Sequence, residues 1–200
     1  MRVLADIAEQ NGYEIVCIVD NRELNLRLSA ADFVRGSEGL NHWLLNRKSD
    51  AELHCAVAIG GALGKDRLAL LEELRSLQLV PVTLIHSAAK IGSGVLIDYG
   101  SQVLMGAALA VNVKLGAGVI VNTNAVVDHD CELSRGVHVG PGATIAGEVS
   151  VGAHSFVGAG ATILPKLKVG ADVIIGAGSV VTSDVRDGMT VVGAPARPLT

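Results

Sequence analysis

The sequence predicts a mainly β protein, a parallel β-helix preceded by a small α/β domain. The first observation behind this prediction is an unbroken series of sixteen aliphatic residues spaced six apart. The series is Ile91, Ile97, Val103, Leu109, Leu115, Val121, Val127, Leu133, Val139, Ile145, Val151, Val157, Ile163, Val169, Ile175 and Val181. A period of six belongs to neither a helix nor a plain strand, and it is typical of a parallel β-helix built from hexapeptides.

The second observation is what surrounds each aliphatic residue. Glycine often follows it, and a small residue such as Ala107, Ala125 or Cys131 stands at the fifth position. Glycine permits the positive φ of sharp corners, and small side chains leave room for the aliphatic ones in a narrow interior. Stacked coils supply each other's core and backbone hydrogen bonds. Because no hexad is inserted or deleted, we expect a prism without a large protruding loop.

The third observation is that the first ninety residues follow a different pattern. Helices are predicted near residues 3–11, 40–45 and 65–78, and strands at Ile15–Val19, Ala56–Ile59 and Val82–Ile85. The rest of residues 21–50 is predicted to be irregular. Strands separated by helices indicate a small parallel α/β domain. We therefore divide the chain into an α/β domain at 1–86 and a β-helix domain with a C-terminal tail at 87–200.

Composition narrows the class of protein. Half of the 200 residues are hydrophobic but only 2% are aromatic, which suits an aliphatic β-helix core. A net charge of −4 without a basic patch argues against nucleic-acid binding. No apolar run approaches the length of a membrane span, and no signal peptide is visible. The three widely spaced cysteines indicate reduced, buried residues, so we expect a cytoplasmic protein.

Nine short segments carry a resemblance to a known family. They are Val3–Ile7, Asn11–Tyr13, Ile18–Asp20, Ala58–Gly60, Leu84–His86, Val127–Cys131, Val137–Val139, Pro141–Thr144 and Val192–Ala196. Through them the whole chain resembles the hexapeptide-repeat sugar acetyltransferases, which include UDP-4-amino-sugar N-acetyltransferases and sialic-acid O-acetyltransferases. The aliphatic period is common to a wider superfamily, whereas the α/β domain combined with the His–Asp pair and the C-terminal Gly–Ala–Pro–Ala is more specific.

The resemblance implies a left-handed coil, a Rossmann-like N-terminal domain and a homotrimer with acetyl-CoA between adjacent coils. It implies acetyl transfer to an amino or hydroxyl group of a nucleotide-activated or cell-surface sugar, or of sialic acid, with no metal. Relatives begin with a strand and a Gly-rich turn that holds nucleotide phosphates before the first helix. Here Val3–Ile7 match that helix itself, so we expect either an incomplete N-terminus or altered nucleotide binding.

His129 is the predicted general base. It occupies an outward corner of its hexad between Asp128 and Asp130, and a neighbouring carboxylate orients an imidazole and stabilises its charged form. From the residues alone, a solvated histidine in an acidic turn is an equal alternative. The resemblance favours the catalytic role and assigns Asp130 as the residue that raises the basicity of His129.

The resemblance also assigns the binding residues. It implies that His138 contacts acetyl-CoA, that the Gly147 N–H meets the cofactor or its thioester oxygen, and that Ala159 and Ala177 line the pantetheine groove. A surface strand residue is the alternative for His138, a plain corner glycine is the alternative for Gly147, and Ala159 and Ala177 carry no signal of their own.

Sugar-nucleotide binding is assigned to three residues of the N-terminal domain. Asp20 ends the first predicted strand, where α/β folds place their ligands, and Gly60 and Gly61 follow the second. Simple turn residues at strand ends are the alternative.

Two other functions stay open at this point. One is a metalloenzyme like the γ-class carbonic anhydrases, which hold a metal with three histidines across an interface; His129, His138 and His154 would supply them, although their spacing does not match that family. The other is a non-catalytic trimeric scaffold.

Overall fold

A three-sided β-helix dominates the computed structural model, which describes residues 2–22, 31–47 and 51–199. The coil has three sheets of five, six and eight strands, and a small α/β region precedes it. The predicted fold class, a left-handed parallel β-helix behind a small α/β domain, is confirmed. The helices found in the described ranges have at most 13 residues, and none of them has the length and apolar composition of a membrane span.

The N-terminal region contains three helices and four short strands. They are α1 (Arg2–Gln10), β1 (Cys17–Asp20), β2 (Asp32–Arg35), α2 (Gly36–Asn46), β3 (His54–Cys55), α3 (Gly64–Ser76) and β4 (Val80–Pro81). Strand β1 pairs in parallel with β2, and β3 pairs in parallel with β4. All three predicted helices are therefore present, and the first strand starts two residues later than expected.

The irregular segment predicted for residues 21–50 is partly wrong. Positions 23–30 and 48–50 lie outside the described residues, but β2 forms within the remainder. The Asp32 N–H donates to the Val16 carbonyl at 3.0 Å, and the pairing continues from Cys17 opposite Asp32 to Asp20 opposite Arg35. This strand has no long apolar alternation of its own, so its backbone pairing with β1 was invisible to pattern analysis.

The predicted strand Ala56–Ile59 is also wrong. The strand in this region is β3, and residues 56–59 run on without strand structure. The Val57 carbonyl accepts the side-chain amide of Gln102 at 2.8 Å, and the Ile59 carbonyl accepts the guanidinium of Arg67 at 2.9 Å. Side chains from elsewhere in the fold therefore take the carbonyls that a neighbouring strand would have used.

The coil itself is made of nineteen short strands. In chain order they are β5 (Leu84–Ile85), β6 (Lys90–Ile91), β7 (Leu96–Ile97), β8 (Gln102–Val103), β9 (Ala108–Leu109), β10 (Lys114–Leu115), β11 (Ile120–Val121), β12 (Val126–Val127), β13 (Glu132–Leu133), β14 (His138–Val139), β15 (Thr144–Ile145), β16 (Ser150–Val151), β17 (Phe156–Val157), β18 (Thr162–Ile163), β19 (Lys168–Val169), β20 (Ile174–Ile175), β21 (Val180–Val181), β22 (Thr190–Val192) and β23 (Arg197–Pro198). From β5 to β21 consecutive strands go to different sheets and every third strand pairs in parallel, with partners such as Lys114 and Glu132 eighteen residues apart. At the C-terminal end β22 pairs in parallel with β20, and β23 pairs antiparallel with β22.

The first strand of the coil corrects another expectation. Residues 82–85 were predicted as a third strand of the α/β domain, but Leu84–Ile85 pairs in parallel with Gln102–Val103 of the eight-stranded sheet. Leu84 is fully buried there. Its backbone therefore belongs to the coil, while the proposed division of the chain between residues 86 and 87 stays a prediction.

The interior of the coil follows the predicted hexad register. The members of the aliphatic series from Val103 to Val181 are all buried, whereas Ile91 in the first turn is 43% exposed. The small residues Ala107, Ala125 and Cys131 point inward as expected. Ser155 is buried with its hydroxyl satisfied, because it donates to the Gly170 carbonyl at 2.7 Å and accepts from the Val173 N–H at 3.0 Å.

The N-terminal region is joined to the coil through Arg67 of α3. This arginine is fully buried, and its guanidinium donates to the carbonyls of Gly118 and Gly136 at 2.7 Å each and to that of Ile59 at 2.9 Å. A longer contact of 3.4 Å reaches the Val137 carbonyl. Burial lowers the pKa of Arg67 to about 10, so the side chain remains charged at neutral pH.

Candidate active site

His129 lies at the corner between the six-stranded and five-stranded sheets, after β12 and before β13. Its backbone N–H donates to the Asp128 carboxylate at 2.8 Å, and its carbonyl accepts the Glu148 N–H from the next turn at 2.9 Å. Asp130 completes the corner with a left-handed φ of 55°. The corner backbone is thereby fixed, while the imidazole remains 46% exposed to solvent.

Asp130 determines the protonation of His129. Its Oδ2 lies 2.9 Å from Nδ1 of His129. A carboxylate only accepts, so Nδ1 carries the proton and Nε2 presents a free lone pair. This hydrogen bond is the main reason that the pKa of His129 is raised. The pKa of Asp130 is lowered in turn, first by an amide hydrogen bond from Asn112 and then by His129.

Gly147 lies directly against the imidazole. It is buried one turn above His129, and a Cβ built on it would stand 2.5 Å from Nε2. Any side chain here would displace the ring. Among the described residues, no partner accepts the Gly147 N–H, while the Gly147 carbonyl accepts the Lys166 N–H at 3.0 Å. The Gly147 N–H is therefore available as a hydrogen-bond donor, and the missing side chain leaves room for the His129 ring.

His138 lies in a different environment, on the outward face of the eight-stranded sheet. It is 6% exposed, beneath the Gly60–Gly61 turn, and its ring meets that of Phe156 edge-on at 5.2 Å. Burial lowers its pKa to about 4, and the nearby Arg67 guanidinium adds to this effect. His138 is therefore neutral at physiological pH.

The tautomer of His138 follows from its neighbours. The Asn122 side-chain oxygen accepts the Thr123 N–H at 2.7 Å, so the Asn122 amide nitrogen is the group 3.1 Å from Nε2 of His138. Nε2 must then accept, and Nδ1–H donates to the Gly61 carbonyl at 3.3 Å. Both ring nitrogens are thus engaged within the chain, which fixes the ring in place.

The remaining predicted cofactor residues lie at a third location. Ala159 and Ala177 are exposed at the corner between the eight-stranded and six-stranded sheets, one turn apart. The chain therefore brings His129 and Gly147 together at one corner, and it places His138 on the sheet opposite that corner.

The predicted nucleotide-binding residues are also divided. Asp20 ends β1, and its carboxylate accepts the Arg22 N–H at 2.8 Å and the Arg22 guanidinium at 3.2 Å, which lowers the pKa of Asp20. Gly60 and Gly61 lie against His138 instead, and a Cβ on Gly60 would stand 3.4 Å from its ring. The glycine turn therefore contacts His138, the residue that the family resemblance assigns to acetyl-CoA.

Three residues of this region escaped sequence analysis: Asn112, Asn122 and Arg67. Each acts through a partner that lies sixteen or more residues away along the chain. The available signal for Asn112 was its place at a corner, because asparagine tolerates left-handed backbone better than most residues. The sequence offered no comparable signal for Arg67.

The metal alternative finds no support in the part of the chain that the structure describes. No group of three His, Cys, Asp or Glu side chains within these ranges is arranged to hold a metal ion. His129, His138 and His154 lie at one corner, on one sheet face and at another corner of the prism, respectively.

The chain is similar to a known family of bacterial transferases. A family model described as bacterial transferase hexapeptide (six repeats) matches residues 148–183. No curated protein matches the chain at the significance that we required.

Several solved structures match nearly the whole chain. A perosamine N-acetyltransferase variant from Caulobacter crescentus, solved with CoA and GDP-perosamine, is 31% identical with a TM-score of 0.90, covering 100% of this chain and 91% of its own. The acetyltransferase domain of PglB from Neisseria gonorrhoeae is 34% identical with a TM-score of 0.87, covering 99% and 94%. WeeI from Acinetobacter baumannii is 27% identical with a TM-score of 0.85, covering 99% and 93%.

Proposed function

The chain belongs to the hexapeptide-repeat sugar acetyltransferases and is an acyltransferase, and on this premise we propose that it acetylates an amino group of a nucleotide-activated sugar, using acetyl-CoA. A sugar hydroxyl is the alternative acceptor. The observation that carries the proposal is the His129–Asp130 pair, in which Nδ1 is bound by the carboxylate and Nε2 lies beside Gly147. Within the described part of the chain, neither Nε2 nor the Gly147 N–H has a hydrogen-bond partner. The solved perosamine enzyme, with CoA and GDP-perosamine bound, supports the donor and the class of acceptor.

In this proposal His129 acts as the general base. Its Nε2 takes a proton from the sugar amine as the nitrogen attacks the thioester carbonyl, and Asp130 stabilises the imidazolium that forms. The Gly147 N–H donates to the developing oxyanion. The C–N bond forms, the C–S bond breaks, and the CoA thiolate leaves and takes up a proton. No step requires a metal.

We propose a homotrimer in which neighbouring coils share each site. His129 and Gly147 of one copy would face the His138 side of the next, with acetyl-CoA along the corner of Ala159 and Ala177. A set of large apolar side chains on the coil is exposed in the single chain, which favours association. These residues are Ile91, Leu96, Met105, Val111, Val126 and Leu164. A monomeric mass by light scattering at micromolar concentration would contradict the trimer.

The N-terminal part, residues 1–86, is the proposed sugar-nucleotide domain. Asp20 and the Gly60–Gly61 turn are its candidate contacts. The contact of Gly61 with His138 would set the nucleotide domain against the cofactor side of the site. We place the enzyme in the cytoplasm, where acetyl-CoA and nucleotide sugars are available and where the three free cysteines would stay reduced.

A screen of CoA-thiol release tests the proposal. The donor is acetyl-CoA, and the acceptors are UDP-4-amino sugars, GDP-perosamine and free sialic acid, each with His129→Ala as the control. Turnover of a nucleotide amino sugar by the wild type alone supports N-acetylation. Turnover of sialic acid alone would replace it with O-acetylation. No turnover together with no binding of acetyl-CoA would overturn the acetyltransfer reaction for this chain.

A further inference from the structure

The corner that carries His129 has an unusual column of polar residues. Asn112, Asp130, Glu148 and Lys166 occupy the same position in four successive turns, with φ values of 59°, 55°, 62° and 64°. Left-handed backbone is costly for residues other than glycine, and glycine fills most equivalent positions at the corner of Ala159 and Ala177. Asparagine and aspartate tolerate this backbone better than most residues, so the side-chain contacts of the column decide whether these residues do more than accommodate the turn.

The contacts in the column explain this choice. The Asn112 amide donates to Oδ1 of Asp130 at 3.0 Å, while Oδ2 of Asp130 accepts from His129 at 2.9 Å. Glu148 turns the other way, toward the Lys166 ammonium at 3.6 Å. Each oxygen of the Asp130 carboxylate thus has one partner, so both the position and the plane of the carboxylate are fixed.

We propose that Asn112 is a positioning residue for acetyl transfer, which orients Asp130 so that Asp130 holds His129 with Nδ1 protonated and Nε2 free. The inference rests on the proposed role of His129 as general base. Asn112 acts one turn away from the imidazole and touches neither the ring nor, in this scheme, the substrate. Without its amide, the carboxylate of Asp130 is free to rotate into solvent, and the hydrogen bond to Nδ1 weakens.

The competing explanation is that Asn112 only accommodates the turn. Asn124 provides a matched control, because it has the same hexad position, a φ of 54° and the same packing over a glycine one turn before. It lies at a different corner from His129. Substitution of either asparagine by glycine keeps the left-handed backbone at no steric cost and removes only the side chain, so the two variants separate turn geometry from carboxylate orientation.

The experiment is an NMR titration of the His129 imidazole in the wild-type protein, Asn112→Gly and Asn124→Gly. The charged groups facing the ring are Asp128 and Asp130 from its own turn and Glu148 from the next. We expect the pKa of His129 to fall in Asn112→Gly and to stay unchanged in Asn124→Gly. The kcat of Asn112→Gly should drop about tenfold, the scale of one hydrogen bond to a charged group, with an unchanged KM for acetyl-CoA.

The pH–rate profile supplies the second readout. Since the imidazole must be unprotonated to act, a lower pKa of His129 moves the acidic limb to lower pH in Asn112→Gly. Asn112→Asp is a second variant that tolerates the turn but lacks the donor, so it should also lose kcat. An unchanged His129 titration in Asn112→Gly would overturn the inference, whereas the carboxylate added in Asn112→Asp raises the pKa of His129 by its charge alone, so that variant is read by its kcat. Full activity of His129→Ala would instead overturn the proposed function, which the titration does not test.

Discussion

His129 and His138 lie within the same turn of the coil, yet their surroundings are opposite. His129 is 46% exposed beside a carboxylate that raises its pKa, and one ring nitrogen is free. His138 is 6% exposed beside a guanidinium, its pKa is about 4, and both ring nitrogens have partners within the chain. One imidazole is thus suited to take a proton, and the other is suited to stay neutral and hold its position.

This difference shows that neighbours, rather than residue type, assign the roles. Exposure with a single carboxylate leaves an imidazole basic and accessible, whereas burial between an amide and a carbonyl leaves it neutral and rigid. The coil provides both environments because the corner of His129 faces solvent, while the sheet that carries His138 is covered by the N-terminal region.

The sharpest test of the contrast is a pair of alanine variants. His129→Ala should lose kcat on the order of 10²–10⁴-fold, the usual scale for removal of a general base, with little change in the affinity for acetyl-CoA. His138→Ala should instead weaken the binding of acetyl-CoA. Steady-state kinetics and calorimetric titration distinguish them. Equal losses of kcat with equal affinities would remove the distinction between the two histidines.

Arg67 tests the buried side of the comparison. Arg67→Met removes the donors to the carbonyls of Gly118, Gly136 and Ile59 and leaves them buried, so unfolding should become easier by about 3 kcal/mol or more. Arg67→Lys keeps the charge but reaches fewer carbonyls, so its loss should be intermediate. Urea denaturation measures both. A loss below about 1 kcal/mol for Arg67→Met would show that the two regions are held together by other contacts.

The pH dependence of stability should have opposite signs at the two histidines. The pKa of His138 in the folded chain lies below the ordinary histidine value of 6.5, so the unfolded chain binds a proton first as the pH falls. The free energy of unfolding should therefore decrease by about 3 kcal/mol between pH 6.5 and pH 4, and His138→Asn should flatten this part of the curve.

His129 supplies the matched contrast for that measurement. Its folded pKa is raised, so its contribution to stability is complete below the unfolded pKa and is lost as the pH rises through the folded value. His129→Ala should consequently make the protein less stable at acidic pH without flattening the curve. If both variants change the acidic part of the curve in the same direction, the assignment of protonation states is wrong.

Gly147 tests how closely the exposed imidazole is fitted. The Cβ of Gly147→Ala would stand 2.5 Å from Nε2 of His129, so the ring must move. A displacement of about 1 Å can cost on the order of 10²-fold in kcat, and we expect a loss of that size. In a His129→Ala background, the added methyl group meets no ring and should cause no further loss of melting temperature. A further loss there would locate the strain elsewhere.

Much of the coil could be predicted because an aliphatic residue at the first position of a hexad indicates by itself that this position is buried. A residue at the first hexad position must face inward whatever its distant neighbours are, so a short pattern defined the strands from Val103 to Val181. The contacts that failed prediction depend on groups far away along the chain. Residues 56–59 do not form a strand, and two of their carbonyls accept hydrogen bonds from the side chains of Gln102 and Arg67. No local sequence pattern indicates which carbonyl a distant side chain will bind.

The candidate site shows the same division. The sequence showed that His129 and Asp130 are neighbours at a corner of the coil. The structure adds that their side chains form a hydrogen bond of 2.9 Å. The catalytic role of His129 stays a prediction. The fixed tautomer of His138 was not predictable, since it follows from the amide of Asn122 and the carbonyl of Gly61. A family match can name a residue, but its protonation depends on neighbours in three dimensions.

The pairing of residues eighteen apart from β5 to β21 also limits how such a protein can change in length. Inserting a whole turn would lengthen the prism and leave every outward column aligned, so the contact between Asn112 and Asp130 would survive an insertion placed elsewhere. Adding one or two residues within a strand would rotate all later side chains out of their columns. An insertion at the His129 corner would break the backbone hydrogen bonds that link successive turns there, so we expect the chemistry of this corner to change by substitution more readily than by insertion.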